Sequence, residues 1–225
     1  LGLSPHYTLT DVLDGNQDLE NILVHGPAGL MTIAATSGNQ QLTEPGSSEC
    51  AGLVRVFSEL KSPVDYLIID TSGGISESMF SFCRAASEVL VLVTSETGAL
   101  QDCADQIRTM FSEYGVSRFR ILMNRVASGQ QGDEMFRELL GLFAHEHDIS
   151  ISYAGFIPED ELLCKSAADG QAVIAAYPSS RSAMALMNLA RRVQGWPLPV
   201  YAGGHLEFFV ERLIQKENTD TEVTT

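Results

Sequence analysis

The sequence lacks the features that would place it across a membrane, outside the cell or on nucleic acid. No apolar run approaches the roughly 20 residues that cross a bilayer, and no basic-then-apolar leader opens the chain. Basic residues are scarce, with 14 Lys and Arg against 29 Asp and Glu, so the formal net charge is −15. Because an acidic surface repels phosphate backbones, we expect no direct binding to nucleic acid.

Cysteines are also few. Cys50, Cys83, Cys103 and Cys164 form no CxxC pair and have no histidine at metal-ligand spacing. We therefore expect buried free thiols rather than a metal site, as is typical of a reducing cytoplasm. The absence of a leader and of a spanning segment agrees with a cytoplasmic protein.

What the chain does contain is the composition of a globular domain, with 44% hydrophobic and 19% charged residues in a length of 225. Apolar runs of strand length recur along it: Met31–Ala35, Tyr66–Ile69, Val89–Val93, Phe119–Met123 and Ile151–Ile157. Stretches with a period near 3.6 predict a helix over 99–113 that stops at Gly115 and a helix over 183–193 that stops at Gly195. Strands about thirty residues apart with helices between them predict an α/β fold, with a mostly parallel sheet covered by helices on both faces.

The end of the chain departs from this pattern. Proline and glycine in residues 195–204 predict a linker, anchored by Trp196, between a domain of residues 1–194 and a short helix over 205–214. The polar residues 215–225 predict a disordered tail. One apolar stripe runs along the short helix: Leu206, Phe209, Val210, Leu213 and Ile214. Such a stripe predicts either a helix on a membrane surface or a helix docked on its own domain.

The most informative segment runs from Asp65 to Ile75. It is an apolar strand that ends in a carboxylate, Asp70, and is followed by Gly73 and Gly74. Ligands of open α/β sheets bind at the carboxyl ends of strands, where a carboxylate can hold Mg²⁺ through water and glycines let backbone N–H groups approach a phosphate. The segment predicts a Walker B strand with its switch loop. The alternative is that Asp70 caps the helix that follows.

Two later segments suit the binding of a base. Asn124 follows a strand, and its amide carries the paired donor and acceptor that fit the edge of a purine, although asparagine at a strand end is also a common turn residue. From Gly155 to Asp160, a loop stiffened by Pro158 leaves a strand and turns into a helix. A loop of this kind is suited to lining a base.

In this order, the Walker B strand, the Asn-Arg strand end and the Gly-x-x-Pro-x-Asp loop resemble the MinD/ParA family of deviant P-loop ATPases. Within that family the chain looks most like the flagellar-number regulators of the FleN or FlhG type. That closer resemblance rests on residues 1–15, 26–30, 115–120, 195–199 and 204–213. The resemblance covers nearly the whole chain.

On the phosphate side, the resemblance implies that Asp70 is the Walker B acid, which would hold Mg²⁺ through water and act in ATP hydrolysis. Gly73 and Gly74 would form the switch loop that senses the γ-phosphate. The family's phosphate-binding loop, of the Lys-Gly-Gly-x-Gly-Lys-Thr type, has no counterpart in the 225 residues. We expect that loop, its central strand and switch I to lie upstream of Leu1, so that the domain is truncated at its N-terminus and the 225 residues alone do not turn over ATP.

On the base side, the resemblance implies that Asn124 and Arg125 contact adenine and that Pro158 and Asp160 complete the base pocket. Asp102 matches an acidic position near the dimer surface of MinD-like proteins. An acid in the first turn of a helix is also favoured by the helix dipole, which is the alternative explanation for Asp102.

The implied function is that of a nucleotide-switched regulator of flagellar number or placement. ATP with Mg²⁺ would bridge a homodimer on the inner membrane, and hydrolysis would dissolve it, so the protein would be cytoplasmic and peripheral on the membrane. The implied partners are a flagellar signal-recognition-type GTPase and a flagellar transcription activator. The alternatives are a truncated binding module without hydrolysis, or a family member for septum positioning or DNA partitioning. Partitioning would need a basic surface, which the net charge disfavours.

Overall fold

The structure is a computed structural model of the chain, and it describes residues 3, 5–34, 52, 54–57, 60, 63–71 and 77–197. These residues form two compact units, one that ends at Ser87 and one that begins at Glu88. Several predictions concern residues outside this description: Gly73, Gly74, the linker beyond Pro197, the helix over 205–214 with its apolar stripe, and the tail over 215–225.

The first unit consists of short elements. Helix α1 (Leu9–Leu13) is followed by the strands β1 (Val24–His25) and β2 (Met31–Thr32), which pair antiparallel, and helix α2 (Glu77–Ala85) ends the unit. Its core is one apolar cluster of buried side chains: Leu19, Ile22, Val54, Phe57, Leu60 and Ala85. The strand predicted from Met31 is thus one arm of a hairpin, because its hydrogen bonds go to its neighbour in sequence rather than to the parallel sheet.

The predicted strand over Tyr66–Ile69 has no strand partner among the described residues. Its side chains still alternate as those of a strand do. Leu67 and Ile69 pack against the apolar cluster of the first unit, whereas Tyr66 and Ile68 are 57% and 87% exposed. A strand is defined by hydrogen bonds to a neighbour, so the apolar run predicted an extended segment but neither its pairing nor which side chains are buried.

The second unit contains a parallel sheet of three strands in the order β3 (Leu90–Thr94), β4 (Arg118–Val126) and β5 (Ser150–Pro158). Helix α3 (Ala99–Tyr114) connects β3 to β4, and helix α4 (Gly129–Leu142) connects β4 to β5. Parallel neighbours need such crossover helices because a tight turn cannot join them. The predicted α/β fold is confirmed.

Up to Pro197, where the described residues end, three helices follow the sheet: α5 (Glu161–Ala168), α6 (Val173–Ala176) and α7 (Arg181–Gln194). The last of these matches the helix predicted over 183–193, and α3 matches the one predicted over 99–113. Both end at the glycine that the sequence marked as the stop, Gly115 for α3 and Gly195 for α7. No helix in the described ranges is both long enough and apolar enough to span a membrane.

Helix α4 covers one face of this sheet. The register pairs Ile121 with Tyr153 and Met123 with Phe156, so these side chains share a face. A Cβ on Gly132 of α4 would lie 2.9 Å from the Tyr153 hydroxyl oxygen. Glycine at this position therefore lets the helix approach the sheet closely.

Helix α7 covers the opposite face. Leu122 and Ile157 point to this side, and Leu186 and Leu189 of α7 pack against them. Leu92 of β3 pairs with Leu122 and shares its face but is 57% exposed. Within the described residues β3 has β4 as its sole strand partner, so its other edge is open.

The cysteines are free thiols, as predicted, at each described position, but they are not all buried. Cys103 is buried in α3 and Cys83 is half-buried on α2, and burial raises the pKa of both thiols to about 11. Cys164 is exposed, so its predicted burial is wrong. The reason is that α5 lies on the surface, with Ser166 as its one buried residue. Cys50 lies outside the described residues.

Candidate functional site

Four of the predicted site residues lie at the carboxyl end of the parallel sheet. Asn124 and Arg125 belong to the end of β4, Pro158 is the last residue of β5, and Asp160 follows as the N-cap of α5. Because β4 and β5 are parallel neighbours, their carboxyl ends meet at one edge of the sheet. Open α/β sheets bind their ligands at this edge.

A β-bulge at Arg125 interrupts the pairing of these two strands. Asn124 pairs with Ile157 and Val126 pairs with Pro158, so Arg125 is the extra residue on β4. Its φ of 55° lies in the left-handed region, which costs a residue with a side chain about 1–2 kcal/mol. Bulges are frequent beside active sites, where they redirect side chains.

Contacts from all three strand ends converge on the bulge. The Arg125 N–H donates to Asn124 Oδ1 at 3.0 Å, and the Ser95 hydroxyl, just after β3, donates to the Arg125 carbonyl at 3.1 Å. The guanidinium of Arg125 reaches the carboxylates of Glu96 and Glu159, each at 3.4 Å. One residue therefore ties the ends of β3, β4 and β5 together.

The amide of Asn124 keeps donors for a ligand. Its Oδ1 accepts from Arg125 N–H, which leaves the oxygen one further lone pair, and its Nδ2 has no acceptor among the described residues. The side chain is half-buried at the sheet edge. The amide NH₂ can donate to N7 of adenine while the amide oxygen accepts from the N6 amino group. In guanine, the acceptor O6 would instead face the amide oxygen.

Asp160 uses both carboxylate oxygens to hold the loop after β5. Oδ1 accepts from Leu162 N–H at 3.0 Å, and Oδ2 accepts from the N–H and the hydroxyl of Ser182, each at 2.9 Å. These bonds lower the pKa of the Asp160 carboxyl, and the backbone N–H of Ser182 is the largest cause. Asp160 therefore joins the start of α5 to the start of α7. Its role in a base pocket would be to fix the position of the loop after β5.

A second bulge explains the glycine of the Gly-x-x-Pro loop. The register steps from Tyr153 to Gly155 between adjacent pairs, so Ala154 is the extra residue on β5. Arg192 of α7 donates to the Ala154 carbonyl at 3.0 Å, and a Cβ on Gly155 would lie 3.0 Å from the same guanidinium nitrogen. With a φ of 127°, this position accepts glycine and little else.

The other predicted site residues belong to other elements or lie outside the description. Asp70 is exposed and belongs to the first unit, whereas Asp102 is exposed in the first turn of α3. The dipole-favoured position of Asp102 agrees with the alternative given for it above. Gly73 and Gly74 lie outside the described residues.

Sequence analysis missed the residues that support the site: Ser95, Glu96, Glu159, Ser182 and Arg192. Ser95 and Glu96 follow a predicted strand directly, and Glu159 lies inside a predicted loop, so strand-end position was a usable signal for these. Nothing in the sequence pattern marks Ser182 or Arg192. Their contacts reach 22 and 38 residues back along the chain to Asp160 and Ala154.

Comparison with known proteins adds the family. No protein-family model matches the chain. The chain is 39% identical over 223 residues to the antiactivator FleN of Pseudomonas aeruginosa, and the match covers 99% of this chain and 80% of FleN. It is 26% identical over 198 residues to the septum site-determining protein MinD of Bacillus subtilis, covering 86% of this chain and 70% of MinD.

Solved structures share the fold. MinD of Aquifex aeolicus in its complex with MinC superposes with a TM-score of 0.68 at 20% identity, covering 91% of this chain and 79% of that one. MinD of Pyrococcus horikoshii complexed with Mg-ADP gives a TM-score of 0.64 at 19% identity, covering 85% and 75%. The extent and level of its identity to FleN show that the chain belongs to the FleN family of MinD-like ATPases.

Proposed function

We propose that the protein is an ATP-switched regulator of flagellar number or placement, of the FleN or FlhG type. Mg²⁺-ATP binding favours a homodimer, and hydrolysis returns the protein to monomers. The observation that carries the proposal is the strand-end arrangement around Asn124 and the bulge at Arg125, in a chain that is 39% identical to FleN. This arrangement offers an adenine-matched amide at the sheet edge where ligands bind.

The base side of the proposed site consists of residues at two strand ends. Asn124 supplies the amide and Arg125 the bulge that redirects it. Pro158 is buried and stiffens the loop, and Asp160 holds that loop between two helix starts. Together these residues form a rigid edge for a planar ring.

The residues proposed to act on the phosphates belong to the first unit. Asp70 is the Walker B acid in this proposal, and Gly73 with Gly74 senses the γ-phosphate. The fit is chemical: Mg²⁺ prefers oxygen ligands and keeps several waters, and the carboxylate of Asp70 is exposed, as an ion held through water requires. The Mg-ADP bound to MinD of Pyrococcus horikoshii supports Mg²⁺ and an adenine nucleotide as the ligands of this proposed site. The bound ion would supply charge stabilisation to the transferred phosphoryl group.

We further propose that the phosphate-binding loop and its strand come from outside these 225 residues, which contain no loop of that type. The edge of β3 that has no strand partner among the described residues supports this proposal. Leu90 and Leu92 are 36% and 57% exposed on one side of that strand, an apolar surface suited to being covered by a further strand and its flanking helix.

The proposed cycle includes partners. Asp102 lies on the dimer surface, and the stripe from Leu206 to Ile214 binds the inner membrane when two copies are joined, since two weak contacts on one particle act together. A flagellar GTPase of the signal-recognition type and a flagellar transcription activator are the proposed protein partners. The description of the relative as an antiactivator supports the second of these.

Replacement of Asp70 tests the proposal. In the protein of full natural length, Asp70→Ala should slow Mg²⁺-ATP hydrolysis by about 100-fold or more while the circular dichroism spectrum is unchanged, because the ion loses the group that holds it. Asp65→Ala, an exposed change five residues earlier, is the matched control and should leave turnover intact. Unchanged turnover in Asp70→Ala, with about 1 kcal/mol lost from the free energy of unfolding, would instead support helix capping.

The second candidate function is that of a binding module without hydrolysis, favoured by the description of the relative FleN as an antiactivator rather than as an enzyme. Calorimetry separates the two. The 225-residue chain should bind Mg²⁺-ATP far more weakly than the protein of full natural length and show no turnover. If the full-length protein also fails to hydrolyse ATP, the binding-module function is the better description.

Membrane binding has its own test in the stripe of the predicted C-terminal helix. Phe209→Glu should abolish co-sedimentation of the full-length, ATP-bound protein with anionic vesicles without weakening ATP binding, because a charge would enter the apolar face. Glu207→Gln, which lies off the stripe, is the control and should sediment normally. If the parent protein never sediments with vesicles, the docked-helix alternative holds.

A further inference from the structure

Two residues other than glycine have a positive φ in the described part of the chain, Ala28 and Arg125. Ala28 occupies the tight turn of the β1–β2 hairpin, where such a conformation is ordinary. Arg125 occupies a strand end beside the proposed base site. A left-handed residue there persists only when its surroundings hold it, and such residues cluster at ligand sites.

The surroundings of Arg125 meet this condition. Its N–H, its carbonyl and its guanidinium each make a contact, and the four partners come from three strand ends: Ser95, Glu96, Asn124 and Glu159. The two ion pairs are long and exposed, so each alone contributes little. The two hydrogen bonds of the Arg125 backbone fix the peptide groups on either side of it, and the ion pairs add to them through the side chain.

The N–H of Arg125 sets the orientation of its neighbour. It donates to Asn124 Oδ1 at 3.0 Å, and that hydrogen bond places the amide oxygen on the side of the bulge. A regular strand would carry this N–H in a different direction, because the bulge alters the path of the backbone. The Asn124 amide would then lose the contact that orients it.

We propose that Arg125 is a positioning residue for base recognition: its left-handed backbone, held by Ser95, Glu96 and Glu159, keeps the Asn124 amide in the orientation that distinguishes adenine from guanine. The inference rests on the proposed nucleotide site and deepens it. In this proposal the Arg125 guanidinium binds the carboxylates of Glu96 and Glu159 and does not contact the base.

Two substitutions separate backbone positioning from direct contact. Arg125→Ala and Arg125→Gly both remove the guanidinium, but glycine adopts positive φ freely and alanine does not. We measure Kd for ATP and for GTP, each with Mg²⁺, on the protein of full natural length. Arg125→Gly should keep the ATP-to-GTP preference within about twofold of the parent, whereas Arg125→Ala should lose most of it. An asparagine–adenine pair typically discriminates by about five- to 150-fold, so the loss is measurable.

The role through Asn124 is tested by a double-mutant cycle. Asn124→Ala should abolish the preference for ATP, and adding Arg125→Ala to it should change the preference no further, because the positioned group is gone. Glu96→Gln with Glu159→Gln keeps the arginine but weakens its ion pairs. This exposed pair of changes should leave the fold intact and reduce the preference by about two- to threefold.

The outcomes are distinct. Equal losses in the alanine and glycine variants, or a further loss on adding Arg125→Ala to Asn124→Ala, would show that the guanidinium acts on the ligand directly and would overturn the inference. An unchanged preference in Arg125→Ala would overturn it as well. A parent protein that binds neither nucleotide would refute the proposed function itself.

Discussion

Two arginines on β4 show how one strand serves structure at one end and a site at the other. Near the amino end, Arg120 donates to both carboxylate oxygens of Glu88 at 2.9 and 3.1 Å, and their side chains are 18% and 16% exposed. At the carboxyl end, Arg125 reaches Glu96 and Glu159 at 3.4 Å and is 59% exposed. The same residue types therefore form a bidentate, largely shielded pair at one end of β4 and longer, exposed pairs at the other.

The amino-end pair is further enclosed by the end of α7. The ring of Trp196 lies over the Arg120 guanidinium, 4.3 Å from its carbon to the ring centroid. Trp196 also packs against a buried cluster formed by Leu122, Ala154 and Ile157. Trp196, the predicted anchor of the linker, therefore packs against side chains of the sheet just after α7 ends.

This contrast follows from solvent access. A bidentate pair shielded from water is strong and rigid, and it becomes costly when one partner is removed. Exposed pairs at 3.4 Å can break at little cost in free energy, so their loss should destabilise the fold little. The comparison predicts that substitutions at the amino end of β4 lower the free energy of unfolding more than substitutions at Arg125, and mutagenesis can test this order.

The largest effect is expected at Arg120. Arg120→Met should lower the free energy of unfolding by about 3 kcal/mol, because Glu88 is left largely buried without its partner. Urea denaturation followed by circular dichroism measures it. Adding Glu88→Gln should restore most of the loss. A cost no greater than that of Arg125→Met would refute the distinction between the two arginines.

The stacked ring should matter next. Trp196→Leu should cost about 1–2 kcal/mol, since it removes a cation–π contact and part of the packing on Leu122. Trp196→Phe keeps a ring over Arg120 and is the control, with about half that loss. Equal losses in unfolding free energy for the two variants would mean that the cation–π contact adds nothing to the apolar surface that the side chain buries.

A smaller effect, visible in acid, is expected at Asp160. Its hydrogen bonds lower the pKa of the carboxyl below the ordinary value of about 3.9, so the stabilisation is present above that pH and is lost as pH falls through the folded-state pKa. Asp160→Asn keeps a capping side chain but no titratable group. Its stability should therefore fall less steeply than the parent's below about pH 4, measured by urea midpoints.

Asp169→Asn removes the same charge at an exposed position and serves as the control. This variant should follow the parent's pH dependence. If Asp160→Asn also follows the parent's pH dependence, the hydrogen bonds from Ser182 and Leu162 do not stabilise the fold by favouring the ionised carboxylate.

The smallest effect is expected at Arg125. Arg125→Ala should cost less than 1 kcal/mol in urea denaturation, because the ion pairs it loses are exposed. Arg125→Gly should be neutral within about 0.5 kcal/mol, since relief of the left-handed strain offsets the lost pairs. A loss above about 2 kcal/mol in either variant would contradict the difference in stabilisation between the two ends of β4.

Much of the fold was predictable from local patterns. The apolar stripe over 99–113 and the stop at Gly115 predicted α3 within one residue, because helix periodicity and glycine caps are local properties. The strands β3 to β5 appeared as apolar runs for the same reason. The hairpin at Met31 was not predictable, and neither was the lack of a strand partner for Tyr66–Ile69 among the described residues, since an apolar run does not indicate which strand it will pair with.

For the candidate site, the sequence by itself determined which residues stand at the ends of strands, and it thereby identified Asn124 and the loop from Gly155 to Asp160. Only the tertiary structure decided what they do there. It made Arg125 a bulge and committed the carboxylate of Asp160 to Ser182. The physical reason is that strand position follows from a local apolar pattern, whereas register and contacts across 22 or more residues depend on how whole elements pack.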